Sequence, residues 1–524
     1  MFKSIKSAPV INKPSEGSSW MAILVGSFAA FGGILYGYDT GSINGIIAMN
    51  MFQRQFATYH DANGNPYLTS GQTSLIVSLL SVGTTCGALA ISVIGDMVGR
   101  RYSLIGSCGV FCIGIVLECA ASSIPLFIVG RVIAGLGVGL ISAIVPLYQS
   151  EAAPKWIRGA IVSGYQFAIT IGLLIASIVN NSTKNRTDSG AYRIPIALQF
   201  AWALILSTGM IFLPESPRYY VKKEKLDAAR RSLGRLHRLP PDHPLVTEEL
   251  LEIQSNNEYE MLFGQSSFID CFKNDGRQLY RLMVGTTIQA LQQLTGINFI
   301  FYYGTDFFQK SGIQNPFVIA LITNIVNVVF TPPGMYAVDK LGRRKLLLIG
   351  GVGMCVSEYI VAIVGTAVNS VVANKVLIAF VCTFIAFFAS SWGPVAWVVT
   401  GESFSLRTRS KSVAICAASN WLWNFGIGFA TPYLVNSGPG NADLGAKVFF
   451  IWGTCCFACI AFVYFFVYET KGLSLEQVDE LFEKVPKAWQ SLTFVPALGV
   501  TEANAAEKAE KAETENVEKV PLEV

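Results

Sequence analysis

The chain has 524 residues, of which 52% are hydrophobic and only 14% charged, with a formal net charge of +4. Water-soluble domains carry roughly 25% charged residues, so the composition excludes a soluble globular protein and points to a membrane protein. The small net charge leaves no footprint for nucleic acid.

Segment 1–21 is polar and lacks the short apolar core of a cleavable signal, so it reads as a cytosolic tail. A bilayer core of about 30 Å needs about 20 apolar residues per helix. Such runs fall at 22–48, 73–94, 103–121, 126–148, 159–180 and 194–213. A polar stretch, 214–281, follows with charge-rich helical patterning (KKEKLDAARRSLGRLHR) and reads as an intracellular helical linker. Six more runs fall at 282–308, 315–338, 345–369, 374–400, 410–433 and 446–468. Segment 469–524 is polar and reads as a cytosolic tail with a low-complexity, disordered end. The expected fold is an all-α membrane protein of twelve transmembrane helices: a six-helix bundle over 22–213, the linker, and a second bundle over 282–468.

Short-loop Lys and Arg set the orientation. Arg100, Arg101, Lys155, Arg158, Lys340, Arg343, Arg344, Lys345, Arg407, Arg409 and Lys411 follow even-numbered spans, which places both termini in the cytosol. The sequons at Asn181 and Asn185 then lie outside and become glycosylation candidates. The two halves repeat each other. GDMVGRR at 95–101 echoes VDKLGRR at 338–344, SEAAPKWIRG at 150–159 loosely echoes GESFSLRTRS at 401–410, and PESPR at 214–218 echoes YETKG at 468–472. Parallel repeats of this kind characterise a large class of secondary transporters.

Ionisable and polar groups inside spans are expensive, and each is a functional candidate. Asp39 sits in GGILYGYDTGSINGI, whose glycines let a helix bend or approach its neighbours closely. Its expected partner is Arg131, the charge within span four. Gln292, Gln293 and Asn298 cluster around Gly296, and can face one side if the helix breaks there. Neutral amides donate and accept hydrogen bonds as sugar hydroxyls do; helix–helix bonding is the alternative reading. Tyr302 and Tyr303 read as gating residues or as an interfacial aromatic belt. Gly393 and Pro394 read as a bend in span ten, either gating or static. The acid–base sets at span ends pair, on sequence proximity, Glu151 with Arg158, Glu215 with Arg218, Asp339 with Arg343 and Arg344, and Glu402 with Arg409, with Glu469 as the repeat of Glu215. They are expected to form a cytosolic latch between the halves, or else merely to set topology. The 11 Cys read as small apolar residues rather than disulfides or metal ligands. No cofactor or metal is expected. His60, His237 and His243 all fall in loops without ligand or triad spacing, which argues against an enzyme; no charge ring or filter-like run suggests a channel.

In combination, GYDTG, GDMVGRR, GRVIAGLGVG, PLYQSEAAPKWIRG, PESPR, QQLTGIN and SNWLWN, in order over about 22–485, resemble the sugar porter family of the major facilitator superfamily, most of all fungal hexose transporters. YETKG departs from the family by lacking Pro before the acid, while keeping Glu469. The resemblance implies import of a monosaccharide by alternating access across the plasma membrane, by a functional monomer. It implies sugar contacts at Gln166, Gln292, Gln293, Asn298, Asn327, Trp397 and Asn424, with Trp397 as an apolar platform for a sugar face. It also implies proton coupling through Asp39 and Arg131, since passive members commonly carry a neutral residue at that place. A passive facilitator, a structural Asp39–Arg131 pair, and a non-transporting sugar sensor are the rival expectations.

Overall fold

The computed structural model describes residues 20–494 apart from 61–63, 154–157, 263–266, 274, 311–314, 368–369, 406–407 and 474. Most of the two terminal tails, with Lys155 and Arg407, lies outside the described residues, as does the side chain of Arg158.

Among the described residues, eleven helices are long and apolar enough to cross a membrane. Span one is Trp20–Ala48, with a one-residue interruption at Ala30; span two is Ser70–Val98, three Arg100–Ala120, four Ile124–Ala152, five Arg158–Thr183 and six Gly190–Phe212. Span eight is Pro316–Leu341, nine Arg343–Ala367, eleven Arg409–Val435 and twelve Val448–Phe466. Span ten is in two pieces, Val371–Ser390 and Trp392–Glu402, with Ser391 between them at φ −137°, ψ −83°. The remaining span, seven, is broken outright into Gln278–Leu294 and Ile297–Lys310, each too short to cross alone. With it the fold has twelve spans, close to the runs read from the sequence. Local chemistry starts them: Thr69 and Gln72 form a reciprocal capping box at span two, Ser370 caps span ten, and Pro316 opens span eight.

The break in span seven has a local cause. Gly296 adopts φ +81°, a left-handed conformation that costs a side-chain-bearing residue free energy. A methyl group there would also stand 2.5 Å from Cγ of Trp452 in span twelve. Close packing explains the other glycine-rich stretch. A methyl group on Gly37 would lie 2.0 Å from the Ile169 carbonyl oxygen, so spans one and five touch backbone to backbone.

Between spans six and seven run three helices, Pro217–Lys222, Leu226–His237 and Pro244–Leu262, in the segment read as a helical linker. Val221, Ala229, Leu233, Val246 and Leu250 form a small core of their own there. After span two-to-three, four-to-five, eight-to-nine and ten-to-eleven the chain turns on one face of the bundle, the charged face. The opposite, loop face carries the 49–69 connection, with a short antiparallel pairing of Tyr59–His60 and Pro66–Tyr67. All eleven cysteines are free thiols, as the sequence led one to expect.

Gly296→Ala should lower stability by about 1–3 kcal/mol, from the left-handed backbone alone, and more once Trp452 is displaced. Thermal unfolding in detergent, followed by fluorescence size-exclusion, reads this directly.

Candidate functional site

The span-seven break folds its amides back on one another. Asn298 Nδ2 donates to Gln293 Oε1 across Gly296, so both sides of the break face one place. Gln293 Oε1 also accepts from Asn424 Nδ2 of span eleven at 3.1 Å. Asn424 Oδ1 in turn accepts from the Tyr302 hydroxyl at 3.0 Å and from Ser81 Oγ of span two at 2.6 Å. Gln292 donates its Nε2 to the carbonyls of Trp392 (2.9 Å) and Gly393 (3.0 Å), at the start of the second piece of span ten. The break in span ten falls at Ser391 and not at Gly393–Pro394, which lie inside the second piece, and this break turns backbone acceptors towards span seven. Its Oε1 takes a 2.9 Å bond from Asn420, which also reaches Gln289 Oε1 at 2.7 Å. The result is a buried, uncharged network between spans two, seven, ten and eleven, in which donors and acceptors are matched.

Other expected sugar contacts stand apart from this network. Gln166 on span five and Trp397 on span ten are half-buried. Asn327 on span eight is 2% exposed. The side-chain amides of Gln166 and Asn327 make no hydrogen bond to another described residue. Tyr302 and Tyr303 are buried rather than interfacial, and Tyr303 donates to the Gly428 carbonyl at 2.5 Å. The belt alternative therefore does not describe them; both tie span seven to span eleven. The sequence reading overlooked Gln289 and Asn420, although Gln289 lies one helical turn before Gln292 and Gln293 and Asn420 stands inside SNWLWN.

Asp39 and Arg131 meet. Nη1 of Arg131 lies 2.7 Å from Asp39 Oδ1, with Asp39 at 0% and Arg131 at 1% exposure. Arg131 Nε also donates to the Ile76 carbonyl of span two, at 3.3 Å. A third ionisable group, Glu118 of span three, brings Oε1 to 3.8 Å from the same Nη1. It too was overlooked, although an acid in an apolar run was the very signal that singled out Asp39.

Of the acid–base sets at the charged face, Asp339 pairs with Arg343 as expected, Arg158's side chain lies outside the described residues, and the remaining acids take partners other than those expected. Glu151 binds Arg100, whose Nε and Nη2 each reach it at 3.0 Å, while Arg100 Nη1 lies 3.1 Å from Asp96. Glu402 likewise binds Arg343, at 3.1 and 2.9 Å, while Arg343 Nη1 lies 3.2 Å from Asp339. Glu215 does not pair with Arg218, which is exposed and makes no ion pair among the described residues. Instead it caps span three, accepting from the amides of Arg100 and Arg101 at 3.0 Å each. Glu469 does the same for span nine, accepting from Arg343 at 2.9 Å and Arg344 at 3.1 Å. Arg409 donates Nε to the Gly401 carbonyl rather than serving as the counter-ion first assigned to Glu402. The physical reason is the same in both halves: an exposed helix N-terminus and a guanidinium fork outcompete a sequence neighbour. Burial pushes the Glu215 carboxyl up from its ordinary range, against the pull of the Ser216, Arg101 and Arg100 amides.

These sets lie within the halves. The halves meet elsewhere, through Ser81–Asn424, Ser74 with the Phe429 carbonyl (2.7 Å), Asn44 with the Thr305 amide (3.1 Å), Ser177–Asn324 (2.7 Å) and Ser70–Asn436 (3.1 Å). These bonds run from mid-membrane to the loop face. Among the described residues no hydrogen bond joins the halves at the charged face.

On that loop face Asn185 is exposed in the turn after span five, whereas Asn181 ends the helix with Oδ1 taken by Lys184 at 2.8 Å.

A family described as "Sugar (and other) transporter" matches residues 25–482. The chain belongs to that family. This sugar transporter is 57% identical over 515 residues to the major facilitator-type transporter ecdD of Aspergillus rugulosus, covering 95% of each chain. It is 50% identical over 476 residues to the high glucose sensor RGT2 of Saccharomyces cerevisiae, covering 90% of this chain and 62% of the sensor. Among solved structures it resembles the proton:xylose symporter XylE of E. coli bound to 6-bromo-6-deoxy-D-glucose. The TM-score is 0.73 at 26% identity, over 88% of this chain and 99% of the symporter. It is thus a multi-pass membrane protein of the sugar porter family with the major facilitator fold.

Replacing Glu215 or Glu469 by Ala should destabilise the protein by a similar amount, about 1–3 kcal/mol each for the orphaned buried amides. Melting temperatures of the two variants would diverge only if the repeat were cosmetic.

Proposed function

We propose that this sugar transporter imports a hexose by alternating access and couples the movement to protons through Asp39 and Arg131. The observation that carries the reading is the Asp39–Arg131 contact at 2.7 Å between spans one and four, buried where an ionised pair is costly to maintain. A structural pair needs no second arrangement; a coupling pair separates during the cycle and lets Asp39 take up and give back a proton. The likeness to a proton:xylose symporter supports coupling. A sugar that presents several hydroxyls matches the uncharged network of Gln292, Gln293, Asn298 and Asn424. The bound glucose analogue in XylE and the name of RGT2 support a hexose.

In the transport cycle the charged face is cytosolic, and the loop face, where the halves are bonded, is extracellular. Gln166, Asn327 and Trp397 supply contacts beyond the amide network, with Tyr302 and Tyr303 as the gate on the loop face. The break at Ser391, just ahead of Gly393 and Pro394, lets the second piece of span ten move. In the opposite arrangement the acid–base sets of the two halves face each other and act as a latch. The plasma membrane, both termini cytosolic, and a functional monomer complete the reading; Asn185 is the better-placed glycan acceptor.

The likeness to RGT2 favours a second reading, a sugar sensor that binds without net transport. Uptake of labelled glucose, xylose and galactose into transport-deficient cells, with and without an uncoupler, separates the two, since a sensor accumulates none of them. Asp39→Asn should abolish pH-driven accumulation while leaving sugar exchange across the membrane; accumulation that survives the change overturns the coupling assignment. Gln166→Ala and Asn327→Ala should each weaken sugar affinity at least about tenfold, roughly one charge-free hydrogen bond left unmade. Neither should move the melting temperature, because neither amide bonds another described residue. Equilibrium binding and thermal unfolding on the same preparations check both halves of that expectation.

A further inference from the structure

The charges around Arg131 do not balance. One guanidinium stands between two carboxylates, Asp39 at 2.7 Å and Glu118 at 3.8 Å, and all three side chains are at most 2% exposed. Asp39 Oδ2, Glu118 Oε1 and Arg131 Nη2 are each buried without a hydrogen-bond partner. The packing holds Glu118 in place: a methyl group on Gly130, the residue before Arg131, would lie 2.8 Å from Glu118 Cγ. The acid thus lies along span four in the room that a glycine leaves.

Among the described residues, neighbouring elements offer no second counter-ion within ion-pair distance. Span one presents Asp39, with Tyr36 and Tyr38 flanking it in sequence; span seven presents Tyr302 towards Arg131. At the start of span six Arg193 is exposed and stacks on Tyr192, 5.8 Å from its ring centre. With both acids ionised the set would carry one uncompensated negative charge out of water, at a cost of several kcal/mol. Two carboxylates that share one site resolve this by keeping a proton on one of them.

We infer that Glu118 is a second proton-binding residue of this transporter and carries the proton in the arrangement seen here, with Asp39 ionised against Arg131. The geometry decides which acid holds it. Asp39 has the short, hydrogen-bonded contact with Nη1, whereas Glu118 stands beyond hydrogen-bond reach and no donor approaches its Oε1. Releasing the proton breaks the Glu118 O–H bond and leaves the carboxylate electron pair on an ion that only water or Arg131 can stabilise. Discharge therefore requires either that the set be hydrated or that Arg131 turn from Asp39 to Glu118, upon which Asp39 takes a proton in its place. The coupling role rests on the proton-transport reading; the location of the proton does not.

Infrared difference spectroscopy on the purified full-length protein tests the location. Wild type minus Glu118→Gln should show one protonated-carboxyl C=O band lost, and that band should move on labelling with carboxyl-13C glutamate. A band that instead moves with labelled aspartate places the proton on Asp39 and overturns the inference, as does the loss of no band at all. Should Glu118→Gln fail to fold, Glu118→Asp decides in a Glu358→Gln background, which removes the other buried glutamate of the described spans: a band that passes from the glutamate label to the aspartate label supports Glu118, and its absence refutes it. Failure of Asp39→Asn to abolish accumulation would sink the coupling reading while leaving the infrared result unaffected.

Discussion

A carboxylate seated on a helix N-terminus holds each half of this molecule together. Glu215 and Glu469 each accept two backbone amides at the start of a span, and each is approached by a glycine in a conformation closed to other residues. Gly99, at φ +102°, and Gly342, at φ +89°, would drive a side chain into those carboxylates. With the turn fixed in this way, Arg100 and Arg343 are aimed at Glu151 and Glu402. Ser216 and Thr470, one residue past the capping acids, donate to the same two carboxylates. Spans three and four, with the end of span six, are thereby locked into one body; spans nine and ten, with the end of span twelve, are locked into another. Rearrangement then falls between the bodies rather than within them.

Between those bodies the chemistry changes from charge to neutral amide. A transporter must release what it binds, and an ionic site in low dielectric would hold a counter-ion too firmly. Amides offer matched donors and acceptors that can be traded one for one with hydroxyl groups. In the proposed function the breaks in spans seven and ten would serve that exchange by freeing carbonyls and turning side chains towards a common place, a use of irregular backbone that the membrane interior permits only where protein covers it.

The twelve spans were legible in the sequence because lipid imposes length and apolarity on every one. The break at Gly296 was legible because only a discontinuous helix could turn Gln293 and Asn298 to one side, and the Asp39–Arg131 contact because two costly charges in one half need each other. Of the acid–base sets, the pairing of Asp339 with Arg343 was legible, but the partners that Glu151 and Glu402 take across the fold were not. Sequence places Arg158 near Glu151 and Arg409 near Glu402, but the fold brings Arg100 and Arg343 from about fifty positions away, and neither a helix terminus seeking an anion nor the reach of a guanidinium is visible as spacing. Glu118 was missed for a different reason: it sits one turn from the end of span three, where an acid reads as a boundary, whereas in the folded chain it is 1% exposed.

The contacts between the halves have a consequence of their own. Serine and asparagine side chains and backbone groups make the hydrogen bonds between the halves on the loop face, and none of these groups titrates near neutrality. The clusters built on Glu151 and Glu402 sit on the other side, which is the cytosolic side in the proposed orientation. In that orientation, acid or saline surroundings would meet a hydrogen-bonded barrier whose strength they alter little.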